Sequence, residues 1–459
     1  MSVSVPRFEL FLGSGAFLGS GALLGWSGFL GWLVLGSAGM VFLGWAGFRN
    51  GGWSWQDASV RAVIVDSART QPRIGEVPEP TAPPGGVVVE VKATGLCRSD
   101  WHGWAGHDDD IVFPHVPGHE LAGVVSEVGA GVERWMAGDR VTVPFVCGCG
   151  RCEWCRTGQA QVCPAQEQPG FTHWGSFAGY VGLHAADTNL IAIPPRVGFE
   201  AAAALGCRFA TAYRALAGRA RLTAGEWVTV VGAGGVGLSA VMIARALGAR
   251  VIAVDRNPEA LAVAAALGAE HTLLAATPTP GKSTDPIPGN GADSVPGKSR
   301  GAIPGNGADS VPGKREGAVP RNGAGSALET IEDISGAVRE LTGGGSHVSV
   351  DAVGSELTCS DAILSLRRRG RHVQVGLLPP IGGHPRVPMA RVIGWELDVL
   401  GSHGMAAADY PAMLALIEDG SLQPQKLIER TVGLAEAATL LADFDQAMVA
   451  GMTMIDPSR

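Results

Sequence analysis

An α/β chain with two unlike folded parts is what the sequence predicts, and three observations predict it. Residues 61–208 carry valine-rich alternating stretches such as GVVVEVKATG and ELAGVVSEVG with turn residues between them, the pattern of a β-rich domain. From about Leu222 the order becomes strand, glycine turn, helix and strand: EWVTVV, GAGGVG, LSAVMIARALGA, RVIAVD. The 459 residues, 46% hydrophobic and 17% charged, can build two or more ordinary hydrophobic cores. A net charge of -8 and the lack of a basic run argue against a nucleic-acid partner, which leaves a small-molecule enzyme as the default class.

Two segments match neither half. From Leu10 to Phe48 there is no charged residue, and FLGSGA at 11–16 and 17–22 is followed by LLGWSG and FLGWLV. The run is long enough to cross a bilayer, with Arg7 and Arg49 as flanks. Its glycine content, a period that fits no helix and the lack of a small-residue cleavage site read residues 1–59 instead as an apolar low-complexity extension, with membrane contact through 10–48 not favoured. The second segment, about 276–326, repeats IPGNGADSVPGK at 287–298 and 303–314 and a decayed VPRNGAGS at 319–326. Rich in Pro and Gly and nearly devoid of large apolar side chains, it lacks the surface to offset its ordering entropy or to stack as a solenoid, and reads as a disordered insert in a folded domain.

In the βαβ unit, GAGGVG supplies a dinucleotide fingerprint: Gly232 for the tight turn, Gly234 and Gly235 for close backbone approach to a pyrophosphate, Gly237 for helix–strand packing. It follows a strand, opens an apolar helix, and precedes Asp255 at the end of the next strand. A carboxylate there bonds a ribose 2′-hydroxyl and repels a 2′-phosphate, which favours NAD, although Arg256 stands beside it.

Five of the eight cysteines fall between Cys147 and Cys163. Cys149, Cys152, Cys155 and Cys163, spaced C-x2-C-x2-C-x7-C, form a closed set suited to a structural Zn²⁺, with Cys147 left over. Upstream, GLCRSDWH and PGHE contribute Cys97 and His119, and LGCRFATAY contributes Cys207 at the junction of the two halves. Two thiolates and one imidazole leave a fourth zinc position open to water or substrate.

The order GLCRSDWH, PGHE, CGCGRCEWCRTGQAQVC, GSFAGYV, LGCRFATAY, GAGGVG and AVD closely resembles the medium-chain, zinc-dependent alcohol dehydrogenases, from about Val60 to the C-terminus apart from the insert. The resemblance implies a GroES-like β-barrel catalytic domain over 60–208, completed by 402–459, and a doubly wound Rossmann domain over 209–401, with the active site between them. It implies two Zn²⁺ per chain, NAD, a small alcohol or aldehyde substrate, a homo-oligomer and a cytoplasmic location. By matching positions, Cys97, His119 and Cys207 are catalytic zinc ligands, Asp100 orients the ligand histidine, and Glu120 lies behind the metal. Ser99 and His102 match the family's proton relay through the nicotinamide ribose. Arg98 matches a pyrophosphate contact, Thr211 a residue packing on the nicotinamide, and Val375 to Leu377 a stretch at its carboxamide. Trp104, Phe145 and Trp174 match an aromatic pocket for alkyl or aryl alcohols. The same scaffold also carries polyol and secondary-alcohol dehydrogenases, and a membrane-tethered, non-catalytic zinc- and nucleotide-binding protein is the rival of another class.

Overall fold

The computed structural model describes residues 59–277, 329–378, 384–446 and 450–459. The chain divides into two units, Met1–Gln56 and Asp57–Arg459. The apolar run at 10–48 and most of the repeat segment lie outside the described residues, and the architecture below is that of the second unit. Among the described residues no helix is long and apolar enough to cross a membrane.

Two sheets of different construction confirm the α/β expectation. The run EWVTVV forms the strand Trp227–Val231, buried at every position, as a central parallel strand covered on both faces must be. It lies in the middle of a seven-stranded, all-parallel sheet in the order Thr330–Ile331, His271–Ala275, Arg250–Asp255, Trp227–Val231, Ser346–Asp351, Leu366–Gln374, Asp398–Gly401. The chain first builds outward on one side of Trp227–Val231 and then crosses to build on the other. The switch point is therefore the crevice between the carboxyl ends of Trp227–Val231 and Ser346–Asp351, where open α/β sheets bind ligands. GAGGVG lies at that crevice: a Cβ on Gly232, whose φ is +95°, would strike the Val353 side chain beyond the neighbouring strand.

The second sheet is mostly antiparallel and takes strands from both ends of the unit. Its order is Ile428–Val432, Met452–Ile455, Val87–Leu96, Leu121–Val128, Arg140–Thr142, Ile191–Ala192, with Tyr180–Leu183 also paired to Val87–Leu96. A separate hairpin pairs Ser59–Ile64 with Arg73–Pro78. Because Thr94 pairs with Leu121, the strand leading into Cys97 and the strand leaving His119 and Glu120 meet at one edge of the sheet. The third contributor arrives by helix. A continuous helical segment with π-helical turns at Leu205–Phe209 and Arg214–Arg219 carries Cys207 on the way from the antiparallel sheet to the parallel one, and π-turns of this kind are frequent at functional sites. The fully buried Tyr410, from the helix Tyr410–Glu418, donates its hydroxyl to the Leu205 carbonyl at 3.2 Å and ties the C-terminal part to that turn.

The repeat segment leaves and re-enters at the outer edge of the parallel sheet. Leu274 pairs with Thr330 and Ala275 with Ile331 in parallel, so Thr277 and Glu329, the described ends on either side of 278–328, are offset by about four residues along the strands and one strand spacing across them, ~14 Å in all. A link of about six Gly and Ser residues in place of 278–328 spans that gap. Shortening a connection by three doublings removes about 2 kcal/mol of closure entropy at most. Thermal unfolding of the shortened protein is therefore expected at the same temperature or slightly above; a marked fall would mean that the segment packs on the domain.

Candidate active site

Cys97, His119, Glu120 and Cys207 place one ligand atom each within 4.8 Å of one another. Cys97 ends its strand and precedes the short helix Arg98–Trp104, which returns Asp100 toward it. The Asp100 carboxylate accepts from the Cys97 amide at 2.8 Å, the Gly118 amide at 3.1 Å and His119 Nδ1 at 2.9 Å. Burial opposes a charge on His119, but Asp100 and Cys97 raise its pKa well above the usual value in the metal-free site; in the neutral ring the proton is on Nδ1, and the bare Nε2 turned toward the two sulfurs is the form that a metal would select. That nitrogen is buried and has no hydrogen-bond partner. A buried, unsatisfied imidazole nitrogen beside two thiols fits a divalent zinc, and the Asp100–His119 pair fits the outer support such a ligand needs. A hydrogen bond from Cys207 holds the Cys97 thiol well below its usual range despite burial, and the same bond with burial pushes Cys207 up. The two share a proton that a cation would displace.

Glu120 is fully buried, and its carboxylate is taken up by one residue. Arg208 donates its backbone amide at 3.0 Å, its Nε at 2.9 and 3.1 Å, and its Nη2 to the two carboxylate oxygens. Burial raises the Glu120 pKa and the guanidinium opposes it. Glu120 thus backs the ligand set as a charge-compensated carboxylate. Sequence reasoning missed Arg208, although it follows Cys207 directly; the one signal was that a carboxylate assigned to a buried place requires a cation.

The four remaining clustered cysteines also converge, with ligand atoms within 4.8 Å of one another. Cys152 Sγ lies 3.5 Å from Cys155 Sγ and 3.6 Å from Cys163 Sγ. These spacings are near the ~3.8 Å edge of a tetrahedron with Zn–S bonds of about 2.3 Å and far above the ~2 Å of a disulfide. The Cys155 and Cys149 amides point at Cys152 Sγ and Cys163 Sγ, both at 3.4 Å, which suits thiolates. Cys147 stays apart: its buried Sγ faces the Pro144 carbonyl at 3.5 Å, and burial pushes its pKa up.

The glycine turn opens the helix Gly235–Ala246, whose N-cap Gly234 makes no side-chain cap. A Cβ on Gly234 would meet nothing, whereas one on Gly237 would overlap the Gly232 carbonyl oxygen. The open side fits a pyrophosphate and the closed side fits helix–strand contact. Asp255 accepts from the Ala233 amide at 2.6 Å and the Asn257 amide at 2.8 Å, so it holds the turn through both oxygens and has lone pairs left for a ribose. A Cβ on Gly235 would strike the Arg208 side chain. The residue after Cys207 therefore touches both the ligand cluster and the dinucleotide turn.

The other sequence-predicted residues distribute as follows. Ser99 Oγ lies 3.8 Å from Cys97 Sγ, and His102 is half-buried on the same helix. Thr211 is buried with an unpartnered hydroxyl, one helical turn beyond Cys207. Arg98 pairs with Asp445 and lies over the rings of Trp101 and Phe444, so a pyrophosphate would share it with that carboxylate. Val375 donates its amide to the Asp351 carbonyl at 3.1 Å, and Leu377 is 79% exposed beyond the same strand end. Phe145 stands 6.1 Å from the His119 ring. Trp104 is committed to the Thr70 carbonyl at 2.7 Å and Trp174, 42% exposed, to the Pro114 carbonyl at 3.3 Å. Two rings not foreseen adjoin His119 and Phe145: Phe171, 5.2 Å from His119, and His403, 5.4 Å from Phe145.

Residues 83–195 match the alcohol dehydrogenase GroES-like domain, and residues 235–295 and 298–419 the zinc-binding dehydrogenase domain. An alcohol dehydrogenase of Geobacillus stearothermophilus is 39% identical over 218 residues, 46% of this chain and 62% of that relative. The matches span less than two thirds of the length of the curated relatives. Among solved structures, an NAD-dependent alcohol dehydrogenase superposes with a TM-score of 0.68 at 27% identity, covering 86% of this chain and 99% of the other. The cobalt- and zinc-bound thermostable alcohol dehydrogenase of Pyrobaculum aerophilum gives 0.66 at 25% identity, covering 87% and 100%.

Removing one partner of the Glu120–Arg208 pair strands a buried charge. Arg208→Met is expected to lower stability by about 3–5 kcal/mol, with Glu120→Gln recovering much of the loss in the double variant. Chemical denaturation of the three variants measures the coupling.

Proposed function

Because the chain belongs to the medium-chain, zinc-dependent alcohol dehydrogenase family, we propose that it interconverts alcohols with aldehydes or ketones, with NAD as cofactor and one zinc at Cys97, His119 and Cys207. The observation that carries this reading is the junction at Arg208, where a three-ligand metal cluster and a dinucleotide turn are joined by one side chain. A metal site alone, or a nucleotide site alone, would need no such contact; hydride transfer between a metal-held substrate and a nicotinamide requires the two sites to adjoin, and this contact brings them together.

When bound, the zinc supplies Lewis acidity toward the substrate oxygen and the nicotinamide accepts the hydride. The chain's own residues do the rest. Asp100 fixes the tautomer and direction of His119. Glu120, held by Arg208, puts compensated negative charge behind the ligands. Ser99, next to the ligand sulfur, is positioned to take the substrate hydroxyl proton, and His102 to move it outward. The Phe145 and Phe171 rings beside His119 would give the substrate an apolar surface that favours alkyl or aryl groups, with the His403 ring against Phe145. Asp255 favours NAD because a 2′-phosphate would meet its carboxylate.

The reading extends to a second, closed zinc at Cys149, Cys152, Cys155 and Cys163. Cysteines used as metal ligands rather than disulfides support a cytoplasmic location. Association of chains is supported by the edge strand Asp398–Gly401, with Val399, Ile393 and Met389 exposed beside it.

Metal analysis with steady-state kinetics tests the proposal. Two zinc ions per chain are expected, together with alcohol-dependent reduction of nicotinamide and a higher kcat/KM for NAD than for NADP that Asp255→Ser erodes. A zinc-loaded protein that reduces neither cofactor with any alcohol would refute the activity, and an NADP preference would refute the role of Asp255.

A further inference from the structure

We propose that the proton path of this site does not end at His102 but continues through His107 to solvent, and that Arg69 sets which nitrogens of the two imidazoles carry the protons. The path rests on the dehydrogenase reading above; the geometry of the pair does not.

The helix Arg98–Trp104 ends at Ala105, and Gly106, at φ +74°, reverses the chain so that the His107 amide donates back to the His102 carbonyl at 3.0 Å. The turn brings His107 Nδ1 to 3.0 Å from His102 Nδ1. The Trp101 ring meets both imidazoles edge-on, 5.0 Å from His102 and 5.5 Å from His107. His102 is half-buried on the helix that follows Cys97 and His107 is exposed, so His107 is the member of the pair that meets water.

Arg69 removes the ambiguity of the pair. Its Nη2 lies 3.3 Å from His107 Nε2, and its guanidinium is anchored by Nε to the Ala105 carbonyl at 3.0 Å. The Arg69 amide is also bound, to the Trp104 carbonyl at 2.8 Å. A guanidinium only donates, so His107 Nε2 accepts. Neutral His107 then carries its proton on Nδ1 and donates it to His102 Nδ1, which leaves the His102 proton on Nε2. The groups around His102 agree with a neutral ring. Burial, His107 and Arg98 lower its pKa, while Asp445 and Cys97 oppose them.

In this tautomeric state the wire is loaded to deliver a proton inward, toward the oxygen of a carbonyl being reduced. His102 releases the Nε2 proton, takes the Nδ1 proton of His107, and His107 regains one on Nε2 from water as the Arg69 contact opens. Alcohol oxidation runs the same three transfers in reverse and restores the Arg69 contact at its end. One proton crosses per turnover in either direction and leaves both protons on the opposite nitrogens; before the next turnover in the same direction the two rings exchange tautomers through water, a reset that moves no net proton. Arg69 is a positioning residue, and His107 the outer member of the relay.

Nitrogen NMR on histidine-labelled protein without cofactor reads the tautomers directly. Protonated Nδ1 on His107 and protonated Nε2 on His102 are expected, with that preference lost in Arg69→Met; the opposite assignment, or no change in Arg69→Met, overturns the role of Arg69. For the path, His107→Ala and His107→Gln are compared in zinc-replete protein. A roughly 10- to 100-fold lower kcat at and below neutral pH is expected, with KM and zinc content unchanged and partial rescue of His107→Ala by free imidazole. Unaltered pH profiles in both variants, with the unmodified protein active, overturn the wire. Inactivity of the unmodified protein toward every alcohol overturns the dehydrogenase reading instead, and the path with it.

Discussion

The buried pair of Glu120 and Arg208 is the constraint on which the rest of the site depends. Glu120 comes from the antiparallel sheet, beside His119. Arg208 comes from the helical segment, beside Cys207, and its stem fills the space over Gly235. One ion pair therefore fixes three relations: sheet to helix, ligand to ligand, and metal cluster to dinucleotide turn. A buried ion pair is weak evidence for stability, since apolar residues of equal volume often do as well. Its value here is geometric. Bidentate guanidinium–carboxylate contact tolerates little displacement, so the two sulfurs and the imidazole are held in register even though they come from separate parts of the chain.

Features with a local cause were legible in the sequence. The glycine turn is dictated by steric facts within six residues: Gly237 has no room for a Cβ against Gly232, and Gly234 has open space. The four-cysteine set closes within fifteen residues, so spacing alone constrained it. The strand and helix patterns were equally local, because the parallel strands are buried on both faces and read as unbroken apolar runs. Cys97, His119 and Cys207 are distant in sequence, and there the resemblance carried what spacing could not.

What was not legible depends on contacts that sequence order conceals. Arg208 meets Glu120 across 88 residues, and Arg69 meets His107 across 38. Of the three aromatic residues expected at the substrate pocket, Phe145 makes a ring contact with His119, and the reason again lies in distant contacts. Phe145 stands beside the ligand histidine because its amide is bound to the Gly206 carbonyl at 2.9 Å. Trp104 and Trp174 are drawn instead to carbonyls that satisfy their indole N–H groups, as half-buried tryptophans usually are. Phe171 and His403 had no motif to mark them, and only the fold brings them to the site.

The position of the repeat segment also has a functional meaning that its composition does not reveal. It departs from the carboxyl end of His271–Ala275, the same end of the sheet as the glycine turn, and Leu274 pairs with Asp255. The strand beside it is thus the one that bears Asp255, whereas Cys207 and Arg208 come from the helical segment that meets the glycine turn at Gly235. In the proposed enzyme, binding energy for the cofactor would be spread over the turn, the helix terminus and Asp255, while the chemistry would depend on the cluster of Cys97, His119 and Cys207, and a segment joined at the outer strands interrupts neither set of residues.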